Sequence, residues 1–152
     1  MADLINSVRP QTWVAIDIAK RFHVVLIETT QGRLQRFRMA SMACEHDRLI
    51  ALLSSLPQPC RIAFEPTGNF HRTLAWRLLT AGFEVVTVST VAAARYREAR
   101  FNSWDKNDPK DAKVILEMLK QGLTQFYHEP LQTGCHDLRE LRRSPAFSSS
   151  WL

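Results

Sequence analysis

Trp13-Val14-Ala15-Ile16-Asp17 is the stretch that decides the fold, because an apolar, β-prone run here closes on a carboxylate. The pattern predicts a buried strand over residues 13–16. Two more strands are expected over residues 23–28, after a polar break, and over residues 33–39, after a glycine turn. The opening of the chain therefore predicts three consecutive antiparallel strands, of which the first is buried and central.

The remaining sequence alternates between helical and strand-like patterns. The expected elements are a helix capped by Ser41 and ended by Pro57 and Pro59, a strand over residues 60–64, a helix over residues 70–80, a strand over residues 83–88, a helix over residues 91–100 and a helix from Asp108 to Gly122. Strands that alternate with helices favour parallel crossovers in one sheet, with helices on both of its faces. The order predicts an α/β domain with a ribonuclease-H-like mixed sheet.

Composition limits the class of protein. The 152 residues, of which 45% are hydrophobic, suit one domain with a core of its own. The formal net charge of +5 is compatible with a polyanionic partner such as nucleic acid. The 3 cysteines form no Cys-x-x-Cys pair, which argues against a disulfide framework and against a structural zinc site. No run approaches the roughly 20 apolar residues of a membrane helix, so a cytoplasmic protein is expected.

Two carboxylates directly follow apolar strands. Asp17 closes Val14-Ala15-Ile16, and Glu65 closes Ile62-Ala63-Phe64. A charge at the end of a buried strand is costly unless it is paired, solvated or bound to a cation. Neighbouring parallel strands bring their carboxyl ends to the same edge of a sheet, where such sheets usually keep their sites. The pattern favours a shared acidic site, and the alternative is two strands that simply reach solvent.

A further pair of acids lies in Asp108-Pro109-Lys110-Asp111, where an amphipathic helix begins. Asp108 and Asp111 are close enough in sequence to point from one face of that helix. Asp108 also suits a helix cap, since proline is tolerated in the first turn. Four carboxylates brought together would repel one another, and two Mg²⁺ or Mn²⁺ ions about 4 Å apart would neutralise them and serve phosphodiester chemistry. The acids therefore indicate phosphoryl transfer or hydrolysis on nucleic acid.

Four other residues are weaker candidates for nucleic-acid contacts. Thr67, in the turn after Glu65, could contact a phosphate or simply cap the turn. Arg95, Arg97 and Arg100 could follow a phosphate backbone, although such a run is more often a solvated helix face. Both meanings stay open for all four residues.

Three motifs in the chain resemble one known family. They are Val14-Ala15-Ile16-Asp17-Ile18-Ala19-Lys20, Phe64-Glu65-Pro66-Thr67-Gly68 and Lys106-Asn107-Asp108-Pro109-Lys110-Asp111-Ala112. In order and spacing they resemble the N-terminal domain of the DEDD transposases of insertion sequences, the "IS one-ten" type, which also includes Piv-like DNA invertases. The resemblance covers residues 12–143 and is specific because the three motifs occur together.

The resemblance implies a fold like that of the Holliday-junction resolvase RuvC. It implies that Asp17, Glu65, Asp108 and Asp111 are the catalytic, metal-binding acids and that the cofactor is Mg²⁺ or Mn²⁺, as two ions. DNA is the implied partner, in transposition at the bacterial nucleoid. Some members of the family are guided by a structured RNA, so a guide RNA is also expected, together with self-association or binding to full-length transposase.

Compared with the family, the chain is expected to be incomplete. The RuvC-like domain is expected over residues 12–125, after an N-terminal extension of residues 1–11 and before the start of a helical connector over residues 126–143. Residues 144–152 lack a helical period and are expected to be a disordered tail produced by truncation or a frameshift. Family members carry a second domain beyond the connector, which supplies a serine for strand exchange and is expected to be absent here.

Two other functions are compatible with parts of the pattern. Without the second domain, the chain could be a catalytically silent fragment that binds nucleic acid or full-length transposase. An actin-like sugar kinase also opens on a strand that ends in aspartate, but such kinases need glycine-rich phosphate loops, and none follows Asp17. The transposase domain is therefore the leading hypothesis.

Overall fold

The fold is given by a computed structural model that describes residues 9–101 and 108–127, and the side chains of all of these except residues 101 and 108–110. The strands are β1 (Thr12–Asp17), β2 (Phe22–Thr29), β3 (Leu34–Ala40), β4 (Cys60–Phe64), β5 (Glu84–Thr87) and β6 (Gln125–Phe126). The helices are α1 (Ala43–Ser54), α2 (Arg72–Thr80), α3 (Thr90–Phe101) and α4 (Asp108–Lys120). The expected tail and most of the expected connector lie outside the described residues, so the predicted domain boundaries stay predictions.

The strands of the described chain form one mixed sheet in the order β3-β2-β1-β4-β5-β6. β1 pairs antiparallel with β2, and β2 with β3, while β4 is parallel to β1 and β5 is parallel to β4. The predicted ribonuclease-H-like arrangement is confirmed, with β1 inside the sheet. β6 is absent from the sequence prediction; it pairs antiparallel with β5, and both of its residues are exposed. So short and exposed a strand carries no alternation of buried and polar side chains.

The interior strands are covered on both faces, because successive side chains of a strand point to opposite sides of the sheet. Val14 and Ile16 of β1 pack with α1 and α2, whereas Trp13 and Ala15 pack with α3 and α4. We call these the α1/α2 face and the α4 face. Fully burying one leucine or isoleucine contributes roughly 1.5–3 kcal/mol, so the apolar side of each helix holds it on the sheet. The helical side chains involved are Leu49, Leu53, Leu74 and Leu78 on the α1/α2 face and Ala93, Ile115, Met118 and Leu119 on the α4 face.

The start of α1 differs from the sequence prediction. Its N-cap is Met42, in an extended conformation and without a side-chain capping hydrogen bond, so the prediction of Ser41 is wrong. The backbone N–H of Ser41 donates to the carbonyl oxygen of Arg21 at 2.7 Å, which holds Ser41 beside β2. Pairing along the sheet therefore overrides the capping preference of serine.

In the described part of the chain, no helix is both long enough and apolar enough to cross a bilayer.

Two histidines are buried where β2 meets α1. His23 is fully buried, His46 is 3% exposed, and their rings stack with centroids 6.3 Å apart. Nδ1 of His23 accepts a hydrogen bond from the backbone N–H of Ala19 at 3.2 Å. Burial lowers the pKa of His23 to about 4, and the neighbouring His46 is the second cause. Burial also lowers the pKa of His46, so both rings are neutral near pH 7.

Lowering the pH from 7 to about 4.5 is expected to destabilise the fold. His23 titrates near pH 6.5 in the unfolded chain but at about 4 in the folded chain. Between these values the unfolded state holds the extra proton, so the free energy of unfolding falls as the pH drops, by at most roughly 3 kcal/mol. Urea unfolding at both pH values measures the change. The variant His23→Asn keeps an acceptor near Ala19 but does not titrate, and an equally large fall in that variant would contradict the assignment.

Candidate functional site

Asp17 and Glu65 lie side by side at one edge of the sheet. β1 and β4 are parallel, and their last paired residues are Ile16 and Phe64, so Asp17 is the final residue of β1 and Glu65 is the first residue after β4. Strands paired in this way are about 4.8 Å apart. Ile16 and Phe64 point to the α1/α2 face, so the alternation along β1 places Asp17 on the α4 face, and the same alternation continued one residue past β4 directs Glu65 there. Asp17 is half-buried and Glu65 is 6% exposed, so this pair of carboxylates is largely shielded from water.

α4 runs antiparallel to β1 across the same face. At the C-terminal end of the helix, Lys120 forms an ion pair with Glu28, and its Nζ lies 5.7 Å from the ring centroid of Trp13 at the start of β1. From Lys120 back to Asp111 the helix rises about 13.5 Å. From Trp13 to Asp17 the strand rises about 13 Å. The two lengths are similar, so this packing is compatible with a position of Asp111 towards the Asp17 end of β1.

Asp111 is buried against a cation. Its Oδ1 lies 3.0 Å from Nε of Arg97 on α3, with side-chain exposures of 5% and 9%. The distance is that of an ion pair, while the direction of the Nε–H bond falls outside hydrogen-bond geometry. Leaving a buried carboxylate without a counter-charge costs several kcal/mol. Arg97 supplies such a counter-charge to Asp111.

The fourth predicted acid, Asp108, is the first residue of α4, and its side chain lies outside the described atoms. Among the described side chains, no group of three histidines, cysteines or acids is close enough to hold a metal ion. The predicted ligands are carboxylate oxygens, and Mg²⁺ and Mn²⁺ prefer oxygen ligands. The pairing of β1 with β4 brings Asp17 and Glu65 to one end of the sheet, and the role of all four acids as metal ligands stays a prediction.

The loop after Glu65 is a tight turn. The hydroxyl of Thr67 donates to the carbonyl oxygen of Glu65 at 3.3 Å. Gly68 has a φ of +57°, in the left-handed region that glycine adopts without strain. The hydroxyl therefore fastens the turn and would have to release this bond before donating to a phosphate. A phosphate contact through Thr67 stays a prediction.

The three arginines of α3 have different surroundings. The side chain of Arg95 is exposed, and Arg97 is paired with Asp111 as described. Arg100 pairs with Glu117 of α4 at 3.2 Å. A phosphate could reach Arg95 directly, whereas Arg97 and Arg100 would first have to leave an acid. Nucleic-acid binding by these residues stays a prediction.

The pairing of Arg97 with Asp111 is absent from the sequence prediction, although a periodic signal for it exists. Arg97 follows Ala93 by one helical turn, and Ala93 is fully buried on the α4 face. Residues four apart share one face of a helix, so Arg97 is directed inward. A buried arginine requires a counter-charge, and the nearest buried acid on the next helix is the one it contacts.

The order of the sheet, with its antiparallel and parallel strands and helices on both faces, defines a RuvC-like fold of the ribonuclease H type. The structure of T. thermophilus RuvC in complex with a Holliday junction substrate matches with a TM-score of 0.52 and 12% identity, over 77% of this chain and 99% of that chain. A second Thermus thermophilus RuvC structure matches 76% of this chain and 99% of that chain, with a TM-score of 0.48 and 11% identity. The first match shows the fold.

Sequence comparison then defines the family. The model for IS110-type DEDD transposases, described as "Transposase", matches residues 14–147. A mini-circle protein of Streptomyces coelicolor named as a transposase for IS117 is 31% identical over 121 residues, or 76% of this chain. The chain belongs to the DEDD transposases of insertion sequences, as its motifs predict. It spans 28% of the length of the Streptomyces relative.

Proposed function

We propose that this chain is the N-terminal, nuclease-like domain of an insertion-sequence transposase and that it supports metal-dependent phosphodiester chemistry on DNA. The observation that carries the proposal is that the parallel neighbours β1 and β4 end side by side, with Asp17 as the last residue of β1 and Glu65 as the first residue after β4. Neighbouring carboxylates repel each other, so holding two of them close together costs free energy unless a cation or another partner compensates their charge. A functional requirement for their charge is the simplest account of their placement.

The cofactor proposed for this edge is Mg²⁺ or Mn²⁺, as two ions held by Asp17, Glu65, Asp108 and Asp111. When bound, such ions activate an attacking oxygen and stabilise the leaving oxygen of a phosphodiester. The chain itself contributes a shielded setting: Glu65 is 6% exposed, so little water screens its charge. Arg97 balances the charge of Asp111.

DNA is the proposed partner. The formal net charge of +5 favours association with a polyanion. Membership of the transposase family supports DNA as that polyanion, and the similar RuvC structure contains a Holliday junction. A guide RNA, self-association and binding to full-length transposase are proposed on the family resemblance alone.

A binding and cleavage assay with three fluorescent DNAs tests the proposed function. The DNAs are a four-way junction, a nicked duplex and an intact duplex of matched sequence. We expect binding in EDTA and in Mg²⁺ or Mn²⁺, with cleavage of the junction or the nicked duplex only when the metal is present. Fluorescence anisotropy measures binding, and denaturing gels measure cleavage. Failure to bind any of the three DNAs would contradict the proposal.

The ion pair of Arg97 with Asp111 favours a second candidate function. A chain whose acid is held by an internal cation could bind DNA, or full-length transposase, without cutting the DNA. The same assay separates the two functions, because a silent fragment binds DNA with equal affinity in EDTA and in Mn²⁺ and yields no cleavage products.

A further inference from the structure

Two exposed arginines, Arg36 and Arg38, form a basic strip close to the end of the sheet that carries Asp17 and Glu65. β3 is an edge strand of the sheet, and Arg36 and Arg38 on it are exposed. α4 packs over β1, β2 and β4, and these two arginines stay accessible beside it. Two residues along a strand span about 6.8 Å, so the two guanidinium groups start from neighbouring positions on one side of β3.

The strand register places this strip on the same face as the acids. Asp17 is opposite Val24 of β2, and Val24 is opposite Arg38 of β3, so the three residues form one row across the sheet. Residues in one row point to the same face. Two strand spacings separate Asp17 from Arg38, which is about 10 Å between their backbones. The side chain of an arginine can cover much of that distance.

Arg38 is also held by an aromatic ring. Its Cζ lies 4.6 Å from the ring centroid of Phe22, which is 47% exposed. This cation–π contact orders the guanidinium and leaves its N–H groups available for an anion. Beside it is a cavity of about 180 Å³, lined by Asp17, Ala19, Arg21, Phe22, Val24 and Arg38. This is the space of about six water molecules, enough for a phosphate group and below the roughly 300 Å³ at which ligand pockets begin.

Among the described residues, the arginines of the strip are not held in ion pairs, although Asp17 lines the same cavity. In the described part of the chain, Arg21, Arg36 and Arg38 form no ion pair. By contrast, Arg61 pairs with Glu84 at 2.9 Å, and Arg97 and Arg100 also contact acids. The positive charge of the strip is therefore available to a partner of opposite charge. Such a partner would lie close to Asp17.

We propose that Arg36 and Arg38, with Arg21 and Phe22 beside them, bind the phosphate backbone of a DNA strand that approaches Asp17. This inference rests on the proposed function and adds the surface that positions the DNA. Phosphate contacts fix the register and orientation of DNA without reading its sequence. The strip would thus hold a strand next to the acids whatever its bases.

The test compares two double variants in EDTA, where no metal contributes. Arg36→Ala with Arg38→Ala removes the strip; Arg48→Ala with Arg77→Ala removes the same charge from α1 and α2, on the other side of the sheet. Binding of a fluorescent DNA duplex is measured by anisotropy over a series of salt concentrations. The strip variant should bind about 10-fold more weakly or worse, and the slope of log affinity against log salt should fall in magnitude by about 2.

The outcomes distinguish this inference from the proposed function. If the wild-type chain binds no DNA, the proposed function fails. If it binds but both double variants lose affinity equally, the strip is not the DNA surface and the inference is overturned. Circular dichroism confirms that each variant is folded. An RNA duplex of the same sequence serves as a further probe, and a loss seen with RNA alone would replace DNA by RNA as the occupant.

Discussion

Replacing Asp17 by asparagine is expected to weaken Mn²⁺ binding by at least about 100-fold, since losing even an indirect partner of a metal ligand costs roughly 10–100-fold. The substitution keeps the shape of the side chain at the end of β1 and removes its charge. Glu65→Gln should have a similar effect, because Glu65 directly follows β4, the parallel neighbour of β1. Isothermal titration calorimetry of the chain with MnCl₂ measures the change.

Asp47→Asn is the matched control for this loss. Asp47 lies on α1, on the opposite side of the sheet, and pairs with Arg77. The control makes the same change of charge and should leave Mn²⁺ affinity unchanged. Equal affinities for Asp17→Asn and Asp47→Asn would remove Asp17 from the proposed metal site.

Arg97→Met is expected to lower the free energy of unfolding by about 3–5 kcal/mol, the usual consequence of removing one partner of a buried ion pair. Methionine fills much of the space but leaves the carboxylate of Asp111 without this counter-charge. Urea unfolding in EDTA measures the loss. Saturating Mg²⁺ should recover part of it if a cation can take over the charge of Asp111, whereas wild type should gain less from Mg²⁺.

Arg100→Met provides the comparison on the same helix. Arg100 pairs with Glu117 at 3.2 Å, but its side chain is 59% exposed, so removing this pair should cost far less stability than removing Arg97. Arg97→Lys keeps the charge and should lose less than Arg97→Met. The assignment of Arg97 as the counter-charge of Asp111 fails if Arg97→Met and Arg100→Met are equally stable.

The fold could be predicted from the sequence where a pattern repeats. β1 is an apolar run bounded by polar residues, and the helix that begins at Asp108 has an apolar side with helical spacing. These patterns depend on residues that are near each other in sequence, so the corresponding strands and helices begin and end close to the predicted positions. The placement of Asp17 and Glu65 at one edge followed from a general property of parallel strands.

What could not be predicted depends on contacts between distant segments. The cap of α1 differs from the predicted one because the backbone N–H of Ser41 donates to the carbonyl oxygen of Arg21. β6 forms by pairing with β5. The sequence also presents Arg97 as one of several arginines on a helix, while its contact with Asp111 requires two helices to pack together. The exposed strip at Arg38 likewise becomes visible only when three strands are in register.

The register of β1 against β4 has a consequence for how this domain can change over time. The faces of a strand alternate at every residue, so inserting one residue into β4 would turn Glu65 towards the α1/α2 face and away from Asp17. Substitutions in these strands can be accommodated by repacking, but a change in strand length cannot. Insertions and deletions among homologues should therefore accumulate in the loops, while the spacing from Cys60 to Glu65 stays constant.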